Sequence, residues 1–195
     1  MVDKIILASK SGVRKKILEE NLIKCIVEPS NVDEDNVKHS LLKENATPEI
    51  ISKNLAELKA NKISQKFNNH IVLGADSVID LEGEIISKPE NRIEALKILK
   101  KLNGKTHQLI SSACISRGGS MIWNYTDKAS LTMKKMTLLQ LETYLEKISD
   151  ETLYAYNVYQ IEGEGKNLFS KIEGDEDTIM GLPVKKIMDY LKNYE

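Results

Sequence analysis

The sequence has few of the features that mark secreted, membrane-spanning or duplex-binding proteins. Only two cysteines occur among its 195 residues, and Cys25 and Cys114 form no CxxC pair. This favours a reduced, cytoplasmic setting and argues against a structural zinc site. No stretch approaches the ~20 apolar residues of a membrane span, and the apolar run at residues 5–8 is too short for a signal peptide. We therefore expect no membrane association.

A charge excess of one sign is also missing. The chain has 28 basic and 29 acidic side chains, whereas a duplex nucleic-acid binder usually has a basic excess. The segment "NGKTH" around Gly104 lacks the first glycine and the preceding strand of a P-loop. No GxSxG motif is present, and the three histidines have no ligand spacing. We expect no nucleic-acid partner, no P-loop and no histidine metal site.

What is present predicts alternating strands and helices, interrupted by hairpins. Strands are predicted at 4–8 and 25–28, hairpins over 71–89 and 107–123, and a short strand within 161–175. Helices are predicted at 12–22, 48–66, 91–102, 137–148 and from Pro183 to Tyr190 or beyond, with a polar loop at 29–36. This order predicts an α/β fold with a mixed sheet and flanking helices, in one domain over 1–195.

The segment "LASKSGVRKK", residues 7–16, places four cations around a predicted helix start: Lys10, Arg14, Lys15 and Lys16. A helix N-terminus favours anions, so this placement is unfavourable unless a ligand compensates. A strand, a turn of small residues and a helix can present backbone N–H groups to a phosphate. Ser9 and Ser11 add hydroxyl donors, and Arg14 can hold two phosphate oxygens. The alternative is a solvated basic face, which costs only about 0.3–1 kcal/mol.

Three further positions are candidates for chemistry. Asp76, in "GADS", follows an apolar strand, where a carboxylate needs a partner or a catalytic role. It could bind a metal or activate water, or it could cap a turn. The acidic segment at 33–35 could bind a hard cation, although acidic loops are common. Lys88, before Pro89, is either aimed by its extended backbone or simply solvated.

Taken in order, these segments resemble the Maf family of nucleoside triphosphate pyrophosphatases. The similarity covers residues 7 to 183 through the segments LASKSGVR, VDE, LAELKA, GADSV, GEIISKP, GKTH, YQIEGEG, IEG and GLP. The resemblance implies a Maf/ITPase-like fold with two lobes around a deep cleft, and a homodimer. It also implies hydrolysis of a nucleoside triphosphate to the monophosphate and pyrophosphate, with a divalent metal, Mg²⁺ or Mn²⁺.

The resemblance also assigns roles to individual residues. It implies that Asp76 is the catalytic carboxylate, supported by Asp33, Lys59 and Lys88, with Asp33 and Asp76 as metal ligands. The phosphate-binding residues would be Ser9, Ser11 and Arg14.

Two departures from the family pattern bear on the substrate. Gly12-Val13 replaces a Pro-Arg pair, and Glu162 replaces a glutamine. In the family these positions, with Ser77, track base preference, so Val13 and Glu162 favour 7-methyl-GTP. The same reaction on dTTP or UTP is the alternative. A different class, a non-catalytic nucleotide-binding regulator of cell division, also remains open, as does an α/β protein with a merely solvated basic helix end.

Overall fold

The computed structural model describes residues 4–194, apart from the side chains of residues 154–156. Seven strands and eight α-helices occur in this part of the chain, which confirms the mixed α/β class. The chain divides into two compact units. The first takes in the chain up to Val78, Ile110–Lys128 and the chain from Asp175 onward, and the second consists of Ile79–Leu109 and Ala129–Gly174. The prediction of a single domain stays a prediction.

The first unit is built on parallel strands that lie on either side of a short buried strand. Strand β1 (Ile5–Leu7) pairs in parallel with β2 (Cys25–Val27) on one side and with β3 (Val72–Leu81) on the other. The strand order in this unit is β2-β1-β3-β5-β6, with β5 at Thr106–Arg117 and β6 at Ser120–Met133. All three residues of β1 are buried, as expected for a parallel strand that reads as a continuous apolar run.

Helices flank the strands of the first unit. They are α1 (Gly12–Glu20), α2 (Glu34–Lys43), α3 (Pro48–Ser64), α7 (Glu176–Ile179) and α8 (Val184–Lys192). The side chains of Ser11 and Thr47 cap α1 and α3 by accepting backbone N–H groups. The buried core of this unit includes Ile5, Leu7, Ile17, Leu18, Leu73, Ala75, Leu182 and Ile187.

The second unit contains antiparallel pairs. The end of β3 forms a hairpin with β4 (Glu84–Ile86), with Leu81 opposite Glu84. Glu82 and Gly83 between them have φ values of 57° and 90°, as a two-residue hairpin turn requires. The end of β6 pairs antiparallel with β7 (Phe169–Glu173). The helices of this unit are α4 (Arg92–Leu102), α5 (Leu138–Lys147), α6 (Asp150–Tyr156) and a 3₁₀ helix, Glu164–Leu168.

The prediction of a polar loop over 29–36 is wrong for its last three residues, because α2 begins at Glu34. The Asp33 carboxylate accepts a hydrogen bond from the Asn36 backbone N–H, and acidic residues in the first turn complement the helix dipole. None of the residues of α2 is buried. Val37 and Leu41 have the i,i+4 spacing of a helix face, and the helix was missed because the acidic segment before them is also typical of a loop. The short helices α6 and α7 were not predicted either.

Among residues 4–194, no helix combines the length and apolar character needed to cross a bilayer.

Gly74 sets how closely α3 approaches β3. A Cβ atom built at Gly74 would lie 2.3 Å from the carbonyl oxygen of Ala56 and 2.6 Å from the backbone nitrogen of Ala60. Both contacts are to helix backbone, which cannot rotate away as a side chain can. Any larger residue at this position must therefore push α3 and β3 apart.

We predict that Gly74→Ala lowers the free energy of unfolding by about 1–3 kcal/mol or more, the usual cost of overpacking a dense core. Gly12→Ala is the matched control, because a Cβ atom at Gly12 would meet no atom within 4 Å. Urea unfolding followed by circular dichroism measures both variants. A Gly74→Ala midpoint equal to that of the wild type would contradict the prediction.

Candidate active site

The centre of the site is a buried ion pair between α3 and β3. Asp76 and Lys59 are 4% and 5% exposed, and Lys59 Nζ lies 2.8 Å from Asp76 Oδ1. The close approach at Gly74 brings the two elements together. Buried charges are tolerated when they are paired and hydrogen-bonded, so each of these residues stabilises the charge of the other.

Glu34 is the second carboxylate on the same lysine. Its Oε1 lies 2.9 Å from Lys59 Nζ, and its side chain is 42% exposed. Burial raises the pKa of Glu34, but the charge and hydrogen bond of Lys59, helped by Lys38 and Arg14, lower that pKa below its usual value overall. Glu34 is therefore ionised near neutral pH, and Lys59 bridges two carboxylates.

The second oxygen of Asp76 has no partner among the residues that the structure describes. Within residues 4–194, Asp76 Oδ2 is buried and accepts no hydrogen bond, although the Asp76 backbone carbonyl accepts one from Ser52 Oγ at 3.1 Å. An unsatisfied buried carboxylate oxygen is costly and rare. It is also the kind of atom that accepts a proton from water or ligates a hard cation.

The donor set fits a divalent cation shared with a substrate. The described residues contain no group of three or more His, Cys, Asp or Glu side chains that could enclose a metal. Mg²⁺, however, is commonly held by one or two carboxylates together with substrate phosphates and water. Asp76 Oδ2 and the half-exposed Glu34 match that smaller set of protein ligands.

Asp33, predicted as a catalytic and metal-binding residue, has a different contact. Its Oδ1 accepts the Asn36 backbone N–H at 3.1 Å, and its side chain is exposed. The structure therefore brings Glu34, and not Asp33, to Lys59. The sequence named the whole acidic segment as a candidate, and the N-cap preference of Asp was the signal that could have separated the two.

The β1–α1 turn brings together the three predicted phosphate-binding residues. Ser9 Oγ accepts hydrogen bonds from the Ser11 backbone N–H at 3.2 Å and from Arg14 Nη1 at 3.3 Å. Ser11 Oγ accepts the Arg14 backbone N–H at 3.3 Å and so caps α1. Both hydroxyls are thus engaged in shaping the turn.

Arg14 is bound mainly by the protein itself. Its Nε donates to the Gly181 carbonyl at 2.9 Å, Nη1 to the Ala75 carbonyl at 2.9 Å, and Nη2 to Ser77 Oγ at 3.1 Å. With the bond to Ser9, all but one of its N–H groups have partners among the described residues. Arg14 therefore ties the turn to β3 and to the segment before α8, and one N–H remains for a ligand.

The charge of Arg14 is balanced by the two carboxylates. Desolvation lowers the pKa of the guanidinium below its usual value, and the nearby charges of Asp76 and Glu34 offset this only in part. Lys15 and Lys16, in contrast, form i,i+4 pairs with Glu19 and Glu20 at 3.5 Å and 3.7 Å. For these two lysines, the solvated basic face is correct.

The remaining predicted site residues differ in their surroundings. Val13, in the first turn of α1, packs partly buried against the core of the first unit. Ser77 is half-buried and contacts Arg14. Lys88, after β4, and Glu162, before the 3₁₀ helix, are exposed and belong to the second unit. Ser111, which contacts Ser77, was missed, because nothing in a strand of small residues distinguishes it from its neighbours.

Comparisons with known proteins agree over almost the whole chain. The nucleoside triphosphate pyrophosphatase of Pelagibacter ubique (strain HTCC1062) is 83% identical over 192 residues, which are 98% of each chain. The 7-methyl-GTP pyrophosphatase of Brucella abortus biovar 1 (strain 9-941) is 36% identical over 98% of this chain and 96% of its own. The solved Ham1 protein of Staphylococcus aureus is 12% identical and covers 98% and 100% of the two chains with a TM-score of 0.49, too distant to bear on function. The family model described as Maf-like protein matches residues 4–194, and the chain belongs to this family.

Proposed function

We propose that this chain is a nucleoside triphosphate pyrophosphatase, which hydrolyses its substrate to the nucleoside monophosphate and pyrophosphate. The observation that carries the proposal is the Asp76 carboxylate, held through Oδ1 by Lys59 and unpartnered at Oδ2 among residues 4–194. The 83% identity to a relative with that name supports it. A binding protein without turnover could use the same oxygen as a cation ligand, and pyrophosphate release by the wild type separates the two functions.

Asp76 activates the attacking water in this proposal. Oδ2 accepts a proton from water as the water oxygen attacks the α-phosphorus, and pyrophosphate leaves with the electrons of the broken P–O bond. Lys59 orients the carboxylate by holding Oδ1 and leaves Oδ2 for the water. The remaining N–H of Arg14 and the N-terminus of α1 stabilise negative charge on the phosphates.

The residues that would hold Mg²⁺ or Mn²⁺ are Glu34 and Asp76, the latter through Oδ2. When bound, the cation supplies charge neutralisation on the phosphates and activates the water in place of Oδ2, which is then a ligand. Glu34 replaces Asp33 as the second ligand in this proposal, because the Asp33 carboxylate caps α2. Lys88 stays a catalytic residue by resemblance alone.

We propose that Glu162, together with Val13 and Ser77, determines which nucleotide base the enzyme prefers. An ionised glutamate only accepts hydrogen bonds, whereas the glutamine typical of the family both donates and accepts. Glu162 therefore suits the N–H donors of guanine and the positive charge of 7-methylguanine, and it opposes the O4 acceptor of uracil and thymine. The name of the Brucella relative is consistent with this preference within the family.

The proposed setting is a reducing cytoplasm, since both cysteines are free thiols. A homodimer is also proposed, on the family resemblance. Analytical ultracentrifugation of the purified protein measures its oligomeric state directly.

Asp76→Asn keeps the shape of the side chain but removes its charge and basicity. We predict that kcat for pyrophosphate release falls about 10²-fold or more, which is typical of a positioned general base. The matched control is Asp80→Asn, the same change on the same strand, where the side chain accepts the Gly83 backbone N–H at 2.7 Å and an amide oxygen can still do so. An Asp76→Asn variant with full activity and a native circular dichroism spectrum would refute the assignment.

Arg14→Ala should weaken triphosphate binding by roughly 1.5–3 kcal/mol, because it removes a charged hydrogen-bond donor and the hydrogen bonds that hold the β1–α1 turn in place. Lys15→Ala and Lys16→Ala should change binding much less, since their ammonium groups face Glu19 and Glu20. Titration calorimetry with a non-hydrolysable triphosphate measures the three dissociation constants. Three equal and negligible effects would show that Arg14 serves only the structure of the turn and does not bind the triphosphate.

Glu162→Gln should narrow or reverse the preference of the wild type for 7-methyl-GTP over UTP and dTTP. The measurement is kcat/KM for each triphosphate with both proteins. Glu164→Gln, the same change at an exposed position two residues further on, is the control. A wild type that prefers UTP or dTTP, or an unchanged ratio in Glu162→Gln, would contradict this substrate assignment.

A further inference from the structure

The guanidinium of Arg14 and the hydroxyls of Ser77 and Ser111 form a continuous chain of hydrogen bonds inside the first unit. Arg14 Nη2 lies 3.1 Å from Ser77 Oγ, and Ser77 Oγ lies 2.8 Å from Ser111 Oγ. Ser111 Oγ lies 2.7 Å from the backbone carbonyl oxygen of Thr178. Ser111 is fully buried, whereas Ser77 is half-buried and directly follows Asp76 on β3.

The two ends of this chain fix the direction of every hydrogen bond in it. A guanidinium only donates and a carbonyl oxygen only accepts. Ser111 must therefore use its one proton on Thr178, so the short contact to Ser77 requires the proton of Ser77. Ser77 in turn accepts from Arg14 and donates to Ser111.

A competing direction leaves a short contact without a proton. The Gly181 carbonyl lies 3.4 Å from Ser77 Oγ, and a Ser77 proton aimed there would leave two hydroxyl oxygens 2.8 Å apart with no hydrogen between them. The Gly181 carbonyl already accepts Arg14 Nε at 2.9 Å. The directed chain is the arrangement that satisfies all of the short contacts.

We propose that Ser77 presents only a hydrogen-bond acceptor to the ligand, and that Ser111 is the positioning residue that enforces this. The inference rests on the proposed function and deepens it. A ligand group that meets Ser77 must then be an N–H or O–H donor, because the hydroxyl proton of Ser77 points into the protein. This selects a base edge with adjacent N–H donors, as in guanine, over one dominated by carbonyl acceptors, as in uracil.

Ser111→Ala releases the proton of Ser77 without leaving the Thr178 carbonyl unpaired, since the Gly181 backbone N–H also donates to that carbonyl at 3.1 Å. The freed hydroxyl can then donate to a ligand carbonyl. The Gly181 carbonyl competes for that proton only at 3.4 Å, and it already accepts Arg14 Nε. We expect the ratio of kcat/KM for 7-methyl-GTP to that for UTP to fall about three- to tenfold, the range of one ordinary hydrogen bond.

The matched control is Ser112→Ala. Ser112 is the next residue on β5 and is equally buried, and its hydroxyl contacts Thr126 Oγ1 at 2.9 Å, outside the Arg14 chain. Both variants lose one buried hydroxyl of the same strand. A purely structural effect would therefore appear in both, whereas a shifted substrate ratio is expected only in Ser111→Ala.

A double-mutant cycle tests whether Ser111 acts through Ser77. In a Ser77→Ala background, Ser111→Ala should produce no further change in the substrate ratio. If Ser111→Ala loses its native circular dichroism spectrum, Ser111→Cys takes its place, because a thiol keeps the volume and is only a weak donor and acceptor.

The inference is overturned if Ser111→Ala leaves the wild-type ratio unchanged, if Ser112→Ala shifts it equally, or if the shift persists without the Ser77 hydroxyl. Failure of the proposed function gives a different result. In that case the wild type itself releases no pyrophosphate from any triphosphate in the panel with Mg²⁺ or Mn²⁺, and both proposals fall together.

Discussion

The buried ammonium of Lys59 is the constraint on which the rest of the site depends. It contacts Asp76 at 2.8 Å and Glu34 at 2.9 Å, so one charge holds two carboxylates from different elements. Removing either member of a buried ion pair typically costs about 3–5 kcal/mol. That is a large fraction of the roughly 5–15 kcal/mol by which a folded domain is stable. The pair lies where Gly74 lets the backbone of α3 approach β3 closely. Packing and electrostatics are therefore inseparable at this point.

Arg14 is a second cation that holds groups from several elements, here at the β1–α1 turn. A cation in the first turn of a helix is unfavourable for the helix dipole, but Arg14 donates to three carbonyl and hydroxyl acceptors on two other segments of the first unit, β3 and the segment before α8. This fixed network holds Ser9 and Ser77 in defined orientations before any ligand arrives. Positioning in advance reduces the ordering cost of binding. It also explains why the cations of this turn are not equivalent: the guanidinium lies inside the network, while Lys15 and Lys16 face solvent.

Much of the fold was predictable because the signals are local. The caps at Ser11 and Thr47, the Glu82-Gly83 turn and the apolar spacing of α3 all lie within a few residues of the structure that they determine. Helix α2 was missed because its acidic first turn is also typical of a loop, although Val37 and Leu41 have helical spacing. For the site, the residue types and the importance of Asp76 were predictable, whereas the partner of Lys59 was not.

By itself, the sequence determined where most strands and helices lie, which charges are available, and that "GADSV" places a carboxylate in an apolar strand. Only the tertiary structure decided how those groups are used. Lys59 and Asp76 are 17 residues apart, and Arg14 and Gly181 are 167 residues apart, so their contacts depend on how distant segments pack. The choice of Glu34 over Asp33 follows from a competition between a local cap and a distant lysine. The proton direction at Ser77 follows from a carbonyl at Thr178, which no spacing in the sequence reveals.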